Sequence, residues 1–176
     1  MVSNEEISVN KRNGRGKESL QIDKIHAMVG FATEGITGVS ASHVEMNSGI
    51  QLFDGISTAD IQQILIKSAN DLITLENPNY QYVAARLLLF SLRKQLFHRL
   101  WDHPKLLDHI KKLIDMGLYD KDILVKYDES EIDRMDMWID HERDYNFTYA
   151  GLRQVMDKYL VQDRSTGDIF ETPQFM

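Results

Sequence analysis

One long segment of this chain is apolar on nearly every side of a helix, and it constrains the fold more than any other feature. After the turn Asn77-Pro78-Asn79, the residues from Tyr80 to about Phe97 place apolar side chains at most helical positions. A helix that is apolar all round has to be covered by other elements on every side. The sequence therefore predicts a mainly α fold with this segment at the centre of its packing.

The residues before the central helix predict a β-hairpin. Two short segments, Ile7-Ser8-Val9 and Ser19-Leu20-Gln21-Ile22, have the composition of strands. Their basic connection contains Asn13-Gly14 and Gly16, which supply the positive φ angles that a tight turn needs. We therefore expect two short strands that are joined by a turn rich in cationic side chains.

Three further helices are expected between the hairpin and the central helix. The first is predicted to have Asp23 as its N-cap, because Ile25, Met28, Val29 and Ala32 follow at helical spacing. The second is predicted to begin at Ser40 or Ser42, to bury Val44, Ile50 and Leu52, and to end at Gly55. The third is predicted to begin at Ser57, with Asp60 three residues later as in a capping box. Its buried side chains are expected to be Ile61, Ile64, Leu65, Leu72 and Ile73.

Beyond Pro104 the pattern changes to shorter helices. They are predicted at Leu106 to Met116, around Ile123, from Glu129 to about His141, and from Thr148 to Met156. Two strands are predicted at the end, at residues 158–162 and 169–171. The last residues carry no stop signal of a complete domain, so we expect the chain to end inside one. The predicted domains are residues 1–100 and 101–176.

Composition excludes several classes of site. The 176 residues carry a net charge of -7 and include no cysteine, so disulfides, zinc–thiolate sites and thiol chemistry on this chain are excluded. The negative charge argues against nonspecific nucleic-acid binding. No apolar run has the ~18–20 residues of a membrane span, and Met1 to Glu6 are too polar for a signal peptide. These observations predict a cytoplasmic protein that does not bind a membrane.

The cationic residues of the hairpin have two interpretations. Five of them lie close together in the sequence: Lys11, Arg12, Arg15, Lys17 and Lys24. Taken alone, they are ordinary surface charge. On a tight hairpin beside the start of a helix, however, they form a pattern that is typical of a polyphosphate site, because amide groups at helix N-termini and cations both favour phosphate.

The other titratable residues point to structure rather than to catalysis. The six histidines fall in no metal-ligand pattern, and we interpret them as structural. Asp140-His141-Glu142-Arg143-Asp144 is interpreted as a packed, salt-bridged element. The acidic segment from Asp102 to Asp144 is interpreted as a solvated helical face, since it lacks the ligand spacing of a calcium site. Neither GxxxxGK[ST] nor GxGxxG occurs, so a P-loop or a Rossmann site is unsupported.

Several stretches together resemble a known family. They are Lys11-Arg12-Asn13-Gly14, Asp23-Lys24-Ile25-His26, Asp54-Gly55-Ile56-Ser57-Thr58, Tyr80 to Arg86, His141-Glu142-Arg143-Asp144 and Lys158 to Gln162. From about Val9 to the last residue, the chain resembles the amino-terminal part of the large subunit of class I ribonucleotide reductase, of bacterial or phage type. The resemblance implies an ATP-cone over about residues 1–100. It also implies a helical connector and the first strands of a truncated ten-stranded α/β barrel.

The resemblance also implies a site for an allosteric effector, ATP or dATP with Mg²⁺. The implied site residues are Val9, Lys11, Arg12, Glu18, Gln21, Lys24, Thr58, Ile61, Gln62, Ser91 and Lys94. Two of them depart from the family pattern, because members under tight dATP control carry histidines where this chain has Gln62 and Ser91. We therefore hypothesise that nucleotide binds but that dATP inhibits overall activity weakly or not at all.

The resemblance implies that the chain is part of an enzyme and is not catalytic by itself. The family reduces ribonucleoside diphosphates through a thiyl radical and a redox cysteine pair, and the radical comes from the diiron cofactor of a small subunit. No catalytic residue or metal ligand is therefore assigned here. The implied partners are the remainder of the large subunit, the small subunit, a second large subunit and nucleotides.

Two questions stay open in the sequence. The chain is either an excised portion of the subunit or the product of a split gene. Its function is either regulatory within the reductase, or that of a stand-alone nucleotide-binding module, or that of a structural domain with a vestigial cone.

Overall fold

The computed structural model describes residues 8–11, 16–49 and 54–176. The chain divides into two compact units, Met1–Ser91 with Phe147–Ala150, and Leu92–Asn146 with Gly151–Met176. The described residues are mainly helical with short strands, which confirms the predicted fold class. The domain division near residue 100 and the start of a barrel stay predictions.

The elements follow one another in this order. The strands are β1 (Ser8–Asn10), β2 (Lys17–Ser19) and β3 (Ile56–Ser57). The helices are α1 (Ile22–Thr33), α2 (Ala41–Ser48), α3 (Thr58–Asp71), α4 (Tyr80–Phe97), α5 (Leu106–Asp115), α6 (Ile123–Lys126), α7 (Glu129–Asp136) and α8 (Tyr149–Lys158). Two 3₁₀ helices span His141–Asn146 and Pro173–Phe175. No helix among the described residues combines the length and the apolar character that crossing a bilayer requires.

Helix α4 is central in the first unit, as the sequence predicts. Its side chains are almost all buried from Val83 to Ser91. At its start, the buried Tyr80 accepts a hydrogen bond from the Ser40 backbone N–H at 3.1 Å through its hydroxyl. Farther along, the Arg86 guanidinium donates to the Glu34 carbonyl at 2.6 Å, beyond the last residue of α1. Cations stabilise helix C-termini. Side chains of α4 therefore fix the end of α1, through Arg86, and the start of α2, through Tyr80.

A small sheet forms the other part of the first unit. β1 pairs antiparallel with β2 and parallel with β3, in the order β2-β1-β3. The predicted hairpin is confirmed, but its strands are shorter and shifted. Ile22 belongs to α1 rather than to β2, and Ile7 lies outside the described residues. The sequence did not predict β3, which is only two residues long and buries Ile56.

Two predicted helix boundaries need correction, the start of α1 and the end of α2. The N-cap of α1 is Gln21 rather than Asp23, which lies in the first turn, where a carboxylate favours the helix dipole. Helix α2 ends at Ser48, since Gly49 adopts the left-handed conformation with φ of 49°. The predicted extension to Gly55 is therefore wrong, and Ile50 and Leu52 lie outside the described residues.

The predicted start of α3 is confirmed. The Ser57 hydroxyl accepts the Asp60 backbone N–H at 3.0 Å, which satisfies one of the free amides of the first turn. In return Ser57 donates its hydroxyl hydrogen to the Asp60 carboxylate at 2.7 Å. Helix α3 ends at Asp71, so Leu72 and Ile73 follow the helix rather than belonging to its buried stripe.

Helices α5 and α7 pack together in the second unit. The Leu106 backbone N–H, at the start of α5, donates to the Asp136 carboxylate at 2.9 Å. A reciprocal capping box between Asp128 and Glu131 begins α7. Helix α7 ends at Asp136, so the predicted helix to about His141 is too long, and a separate 3₁₀ helix follows.

A buried ion pair confirms that the segment from Asp140 to Asp144 is a packed element. Arg93 and Asp144 are each 1% exposed, with 3.6 Å between the guanidinium Nη2 and the carboxylate Oδ2. Arg93 also donates to the His141 carbonyl at 2.6 Å and to the Tyr145 hydroxyl at 3.0 Å. Gln174 donates to the other oxygen of Asp144 at 3.1 Å. Burial raises the pKa of Asp144, against the lowering influence of Gln174 and Arg93.

Three histidines of the same unit pack against aromatic rings. The rings of His103 and His141 stack with centroids 3.8 Å apart, and His109 stacks on Phe175 at 4.4 Å. Burial lowers the pKa of His103 to about 3 and that of His109 to about 4, assisted by neighbouring cations. These rings are therefore neutral near pH 7 and belong to the packing.

The two strands predicted at the end of the chain are wrong. Helix α8 continues to Lys158, and a single antiparallel bridge joins Gln162 to Ile169. The ladder stops because the Val161 backbone N–H donates to the Glu171 carboxylate at 2.8 Å instead of to a strand carbonyl.

Candidate functional site

The hairpin places three predicted site residues on one face. Val9 lies opposite Glu18 in the β1–β2 ladder. Since side chains alternate along a strand, Lys11 shares the face of Val9. Val9 is 3% exposed and anchors this face to the core, whereas the side chains of Lys11 and Glu18 are accessible. The Lys11 backbone N–H donates to the Gly16 carbonyl at 2.9 Å and closes the hairpin.

A single carboxylate brings together lysines from two elements. One oxygen of Glu18 lies 2.7 Å from the Lys11 ammonium, and the other lies 3.9 Å from the Lys24 ammonium in the first turn of α1. The hydrogen bond from Lys11, with the charges of both lysines, holds the pKa of Glu18 below its usual range against a smaller effect of desolvation. Glu18 is therefore an anion between two cations.

The start of α3 lies at the same end of the sheet as Lys11, because β1 and β3 run parallel. β1 pairs with β3, and Thr58 follows β3 as the first residue of α3. The Asn10 amide donates to the Gly55 carbonyl at 2.6 Å, and the Gly55 N–H donates to the Ser8 carbonyl at 2.9 Å. Gly55 has φ of +85°, which L side chains rarely adopt. A glycine turn thus aligns the N-terminus of α3 with the hairpin strand.

The remaining predicted residues differ in their positions. Ile61 and Gln62 lie in the second turn of α3 and are 5% and 2% exposed. The Gln62 amide donates to the Leu87 carbonyl of α4 at 2.9 Å, so it links two helices. Ser91 is also buried on α4, and Lys94 lies in the last turn of that helix, in the second unit. Gln21 is the exposed N-cap of α1. Arg12 lies outside the described residues.

Sequence reasoning missed the polar residues that hold the sheet edge. The Asp54 carboxylate accepts the backbone N–H of Ser8 at 3.0 Å and also the hydroxyl hydrogen of Ser8 at 2.5 Å. These bonds lower the pKa of Asp54. The only signal in the sequence was the turn pair Asp54-Gly55, because the partners lie more than forty positions away.

The donor set suits a polyphosphate. Two exposed ammonium groups converge on one anion, and a helix of fourteen residues follows β3, the strand that pairs with β1. Lysine is a mobile point charge for phosphate, and helix N-termini present amides and positive potential to anions. In the described residues, no group of three or more histidine, aspartate or glutamate side chains could hold a metal ion.

The fold agrees with the family comparison. The ATP cone domain matches residues 7–95, which include β1, β2, β3 and helices α1, α2 and α3. The chain belongs to the ATP-cone family. The match covers all the predicted site residues from Val9 to Lys94, although it assigns no role to any of them.

Similarity to longer proteins extends beyond the cone. The chain is 47% identical over 173 residues to the ribonucleoside-diphosphate reductase 1 subunit alpha of Escherichia coli, which covers 98% of the chain and 22% of that protein. It is 47% identical to the subunit alpha of Haemophilus influenzae, with coverage of 98% and 23%. It is 43% identical to the subunit alpha of Enterobacteria phage T4, with coverage of 96% and 22%.

The ATP cone and its flanking residues thus resemble the amino-terminal region of these subunits. The chain spans about a fifth of the length of the relatives it matches.

Proposed function

We propose that this ATP cone binds ATP or dATP and serves as the allosteric, regulatory portion of a ribonucleoside-diphosphate reductase. One observation carries the proposal: Lys11, which follows the strand β1 that pairs with β3, and Lys24 of α1 converge on the single carboxylate of Glu18. The triphosphate takes the place of that anion, and Mg²⁺ accompanies it, held mainly by phosphate oxygens and water.

The proposed site has a hydrophilic and a buried side. Its polar residues are Lys11, Arg12, Glu18, Gln21, Lys24, Thr58 and Lys94. Val9, Ile61, Gln62 and Ser91 form its buried boundary, consistent with their exposed fractions of 2–7%. The lysines supply charge, Thr58 supplies a hydroxyl group, and the first turn of α3 supplies amide groups for orientation.

Calorimetric titration with ATP and dATP in the presence of magnesium tests this proposal. We expect a Kd in the micromolar range, which corresponds to about -8 kcal/mol. Each charge-assisted hydrogen bond contributes ~1.5–3 kcal/mol. The double variant Lys11→Ala, Lys24→Ala should therefore bind at least about a hundredfold more weakly.

The matched control is the double variant Lys105→Ala, Lys121→Ala, which removes two exposed lysines beyond the matched cone residues. Its affinity should equal that of the unaltered chain. A folded chain that binds neither nucleotide would overturn the proposal, and the cone would then be vestigial. Equal weakening in both double variants would show nonspecific attraction instead of a site.

We further propose that dATP inhibits the assembled reductase weakly. The Gln62 side chain is committed to the α4 backbone, because its amide donates to the Leu87 carbonyl inside the core. Family members under tight dATP control have a histidine at this position, whose titratable ring glutamine lacks. Activity of the assembled enzyme should persist at low-micromolar dATP, and Gln62→His with Ser91→His should increase the inhibition. Inhibition of the unaltered enzyme at that concentration would contradict this hypothesis.

The activity itself belongs to the larger assembly in this proposal. Reduction of a ribonucleoside diphosphate needs thiols, and these 176 residues contain none. The remainder of the large subunit supplies them, a second large subunit completes a homodimer, and a small subunit with a diiron cofactor supplies the radical. All of these partners act in the cytoplasm. Adding the remaining portion of the subunit and the small subunit should restore turnover that this chain lacks alone.

A further inference from the structure

The buried guanidinium of Arg93, near the end of α4, keeps one donor unused. One terminal nitrogen donates to the Tyr145 hydroxyl at 3.0 Å, and the other donates to the His141 carbonyl at 2.6 Å. Both acceptors belong to the 3₁₀ helix His141–Asn146. In the part of the chain that the structure describes, the third nitrogen of Arg93, Nε, has no hydrogen-bond partner. The cation is therefore held by the 3₁₀ helix but is not fully satisfied.

The Asp144 carboxylate keeps a matching acceptor unused. Its Oδ1 accepts the Gln174 amide at 3.1 Å. Its Oδ2 lies 3.6 Å from Nη2 of Arg93 and has no hydrogen-bond partner among the described residues. Charge-assisted N–H···O bonds measure ~2.7–2.9 Å, so the pair is about 0.7–0.9 Å too long for such a bond. Unsatisfied polar atoms in a protein core are costly, and here the donor and the acceptor belong to one ion pair.

We propose that Arg93 and Asp144 form a two-position latch, which nucleotide binding to the cone shifts from the observed open position to a closed one. In the closed position, the guanidinium edge with Nε and Nη2 bonds to Oδ2 of Asp144. Packed cores switch between discrete arrangements rather than deforming continuously, so a shift of less than about 1 Å separates the two positions. Because a nucleotide closes the latch, this regulation rests on the proposed function.

The predicted site residue Lys94 connects the latch to the nucleotide. It directly follows Arg93, and the two side chains point about 100° apart around α4. The Arg93 side chain is buried, and Lys94 is partly exposed. The backbone hydrogen bonds of a helix make one turn move as a unit. A phosphate that draws Lys94 toward it therefore displaces the backbone of Arg93 as well.

Asp144 relays the position of the latch to a second 3₁₀ helix. Gln174, which donates to its Oδ1, lies in the 3₁₀ helix Pro173–Phe175. Closing the latch fixes the carboxylate from both sides, through Arg93 and through Gln174. We therefore expect both 3₁₀ helices to become more rigid when a nucleotide binds.

Amide hydrogen exchange of the full chain, with and without saturating MgATP, tests the latch. We expect MgATP to slow exchange in His141–Asn146 at least about fivefold more than in α7, the lower end of the usual range for coupled sites. Helix α7 is the internal reference, because a ligand stabilises the whole folded chain and thereby protects other amides too. Calorimetric titration of the same samples measures whether the nucleotide is bound.

The variant Asp144→Asn distinguishes the latch from general stabilisation. Asparagine keeps the acceptor for Gln174 and removes the charge that closes the latch. D144N should bind MgATP roughly fivefold more weakly, by reciprocal coupling, and should lose the extra protection. The matched control Asp157→Asn removes a charge from an exposed pair with Arg153 and should keep both the affinity and the protection. If D144N does not fold, Arg93→Lys replaces it, since an ammonium group keeps the charge but lacks the planar fork.

Two results would overturn the latch and leave the proposed function standing. One is binding of MgATP with equal slowing of exchange in His141–Asn146 and in α7. The other is extra protection that persists in D144N, because the signal then bypasses the ion pair. If the folded chain does not bind MgATP in the calorimeter, the proposed function fails, and the latch fails with it.

Discussion

Removal of the buried Arg93 side chain gives the most quantitative prediction about this fold. In Arg93→Met, the Asp144 carboxylate loses its cation and keeps the hydrogen bond from the Gln174 amide, at 3.1 Å. Breaking a buried ion pair from one side costs ~3–5 kcal/mol. The variant also loses the bonds of Arg93 to the His141 carbonyl and the Tyr145 hydroxyl.

Proton uptake limits the electrostatic part of this cost. The carboxyl group can be buried in its neutral form. Protonating a group of reference pKa ~3.9 costs about 1.4 kcal/mol for each unit by which the pH exceeds that pKa. That is about 4 kcal/mol at pH 7 and about 1.5 kcal/mol at pH 5. A folded-state pKa of Asp144 above its unfolded value means that the folded variant binds the proton more readily. The loss of stability should therefore decrease as the pH falls.

Urea unfolding of the unaltered chain and Arg93→Met at pH 7 and pH 5 measures both quantities. We expect a loss of ~3–5 kcal/mol at pH 7 that decreases by about 1–3 kcal/mol at pH 5. Adding Asp144→Asn should recover part of the loss at pH 7 and remove its pH dependence. The control Arg153→Met breaks an exposed pair with Asp157 and should cost less than about 1 kcal/mol. A loss of unfolding free energy in Arg93→Met as small as that in Arg153→Met, or one that is equal at both pH values, would contradict this prediction.

Three further predictions concern the histidines, the start of α3 and the turn before it. The folded-state pKa values of His103 and His109 are depressed, so their contribution to stability is complete above pH ~6.5 and falls as the pH drops toward 4, by up to about 1.4 kcal/mol per pH unit each. Urea unfolding at pH 7 and pH 5 should show a smaller decrease in His103→Phe, and an unchanged decrease would contradict the assignment. Ser57→Ala should destabilise the chain by ~0.5–2 kcal/mol through loss of the α3 cap. Ser40→Ala, whose side chain makes no cap bond at α2, should cost less, and equal losses in thermal unfolding would argue against capping. Gly55→Ala should cost ~1–2 kcal/mol in the same assay because its φ is +85°, and a neutral result would show that the turn relaxes.

Local sequence signals, namely the apolar pattern and the capping residues, predicted helices α3 and α4 of the cone. Helix α4 begins at Tyr80 and ends at Phe97 as expected, since its apolar side chains have no alternative to central burial. The start of α3 was predicted correctly because Ser57 bonds to Asp60, which lies only three residues later in the sequence. Such features need no knowledge of the rest of the fold.

Features that depend on distant partners were missed or misplaced. β3 has two residues and exists because Val9 and Asn10 lie beside it. The end of α2 moved to Ser48 because Gly49 adopts the left-handed conformation, which the apolar pattern alone did not reveal. At the end of the chain, the Glu171 carboxylate took a backbone donor that a strand would have used.

The sequence predicted the residue types of the candidate site, which stay predictions, and did not predict the contacts among these side chains. The sequence indicated cations on a hairpin, and the structure places Glu18 between two of them. Gln62 was expected at the ligand, yet its amide is bonded to the α4 backbone. Side-chain pairing of this kind depends on the ladder register and on helix packing, which no local pattern encodes.

The most direct test of the account is an experimental structure of this chain with MgATP bound. We expect phosphate oxygens within hydrogen-bond distance of the Lys11 and Lys24 ammonium groups, near the first turn of α3, with Glu18 turned away from at least one lysine. A nucleotide bound elsewhere on the chain, or bound with both ion pairs of Glu18 intact, would contradict it.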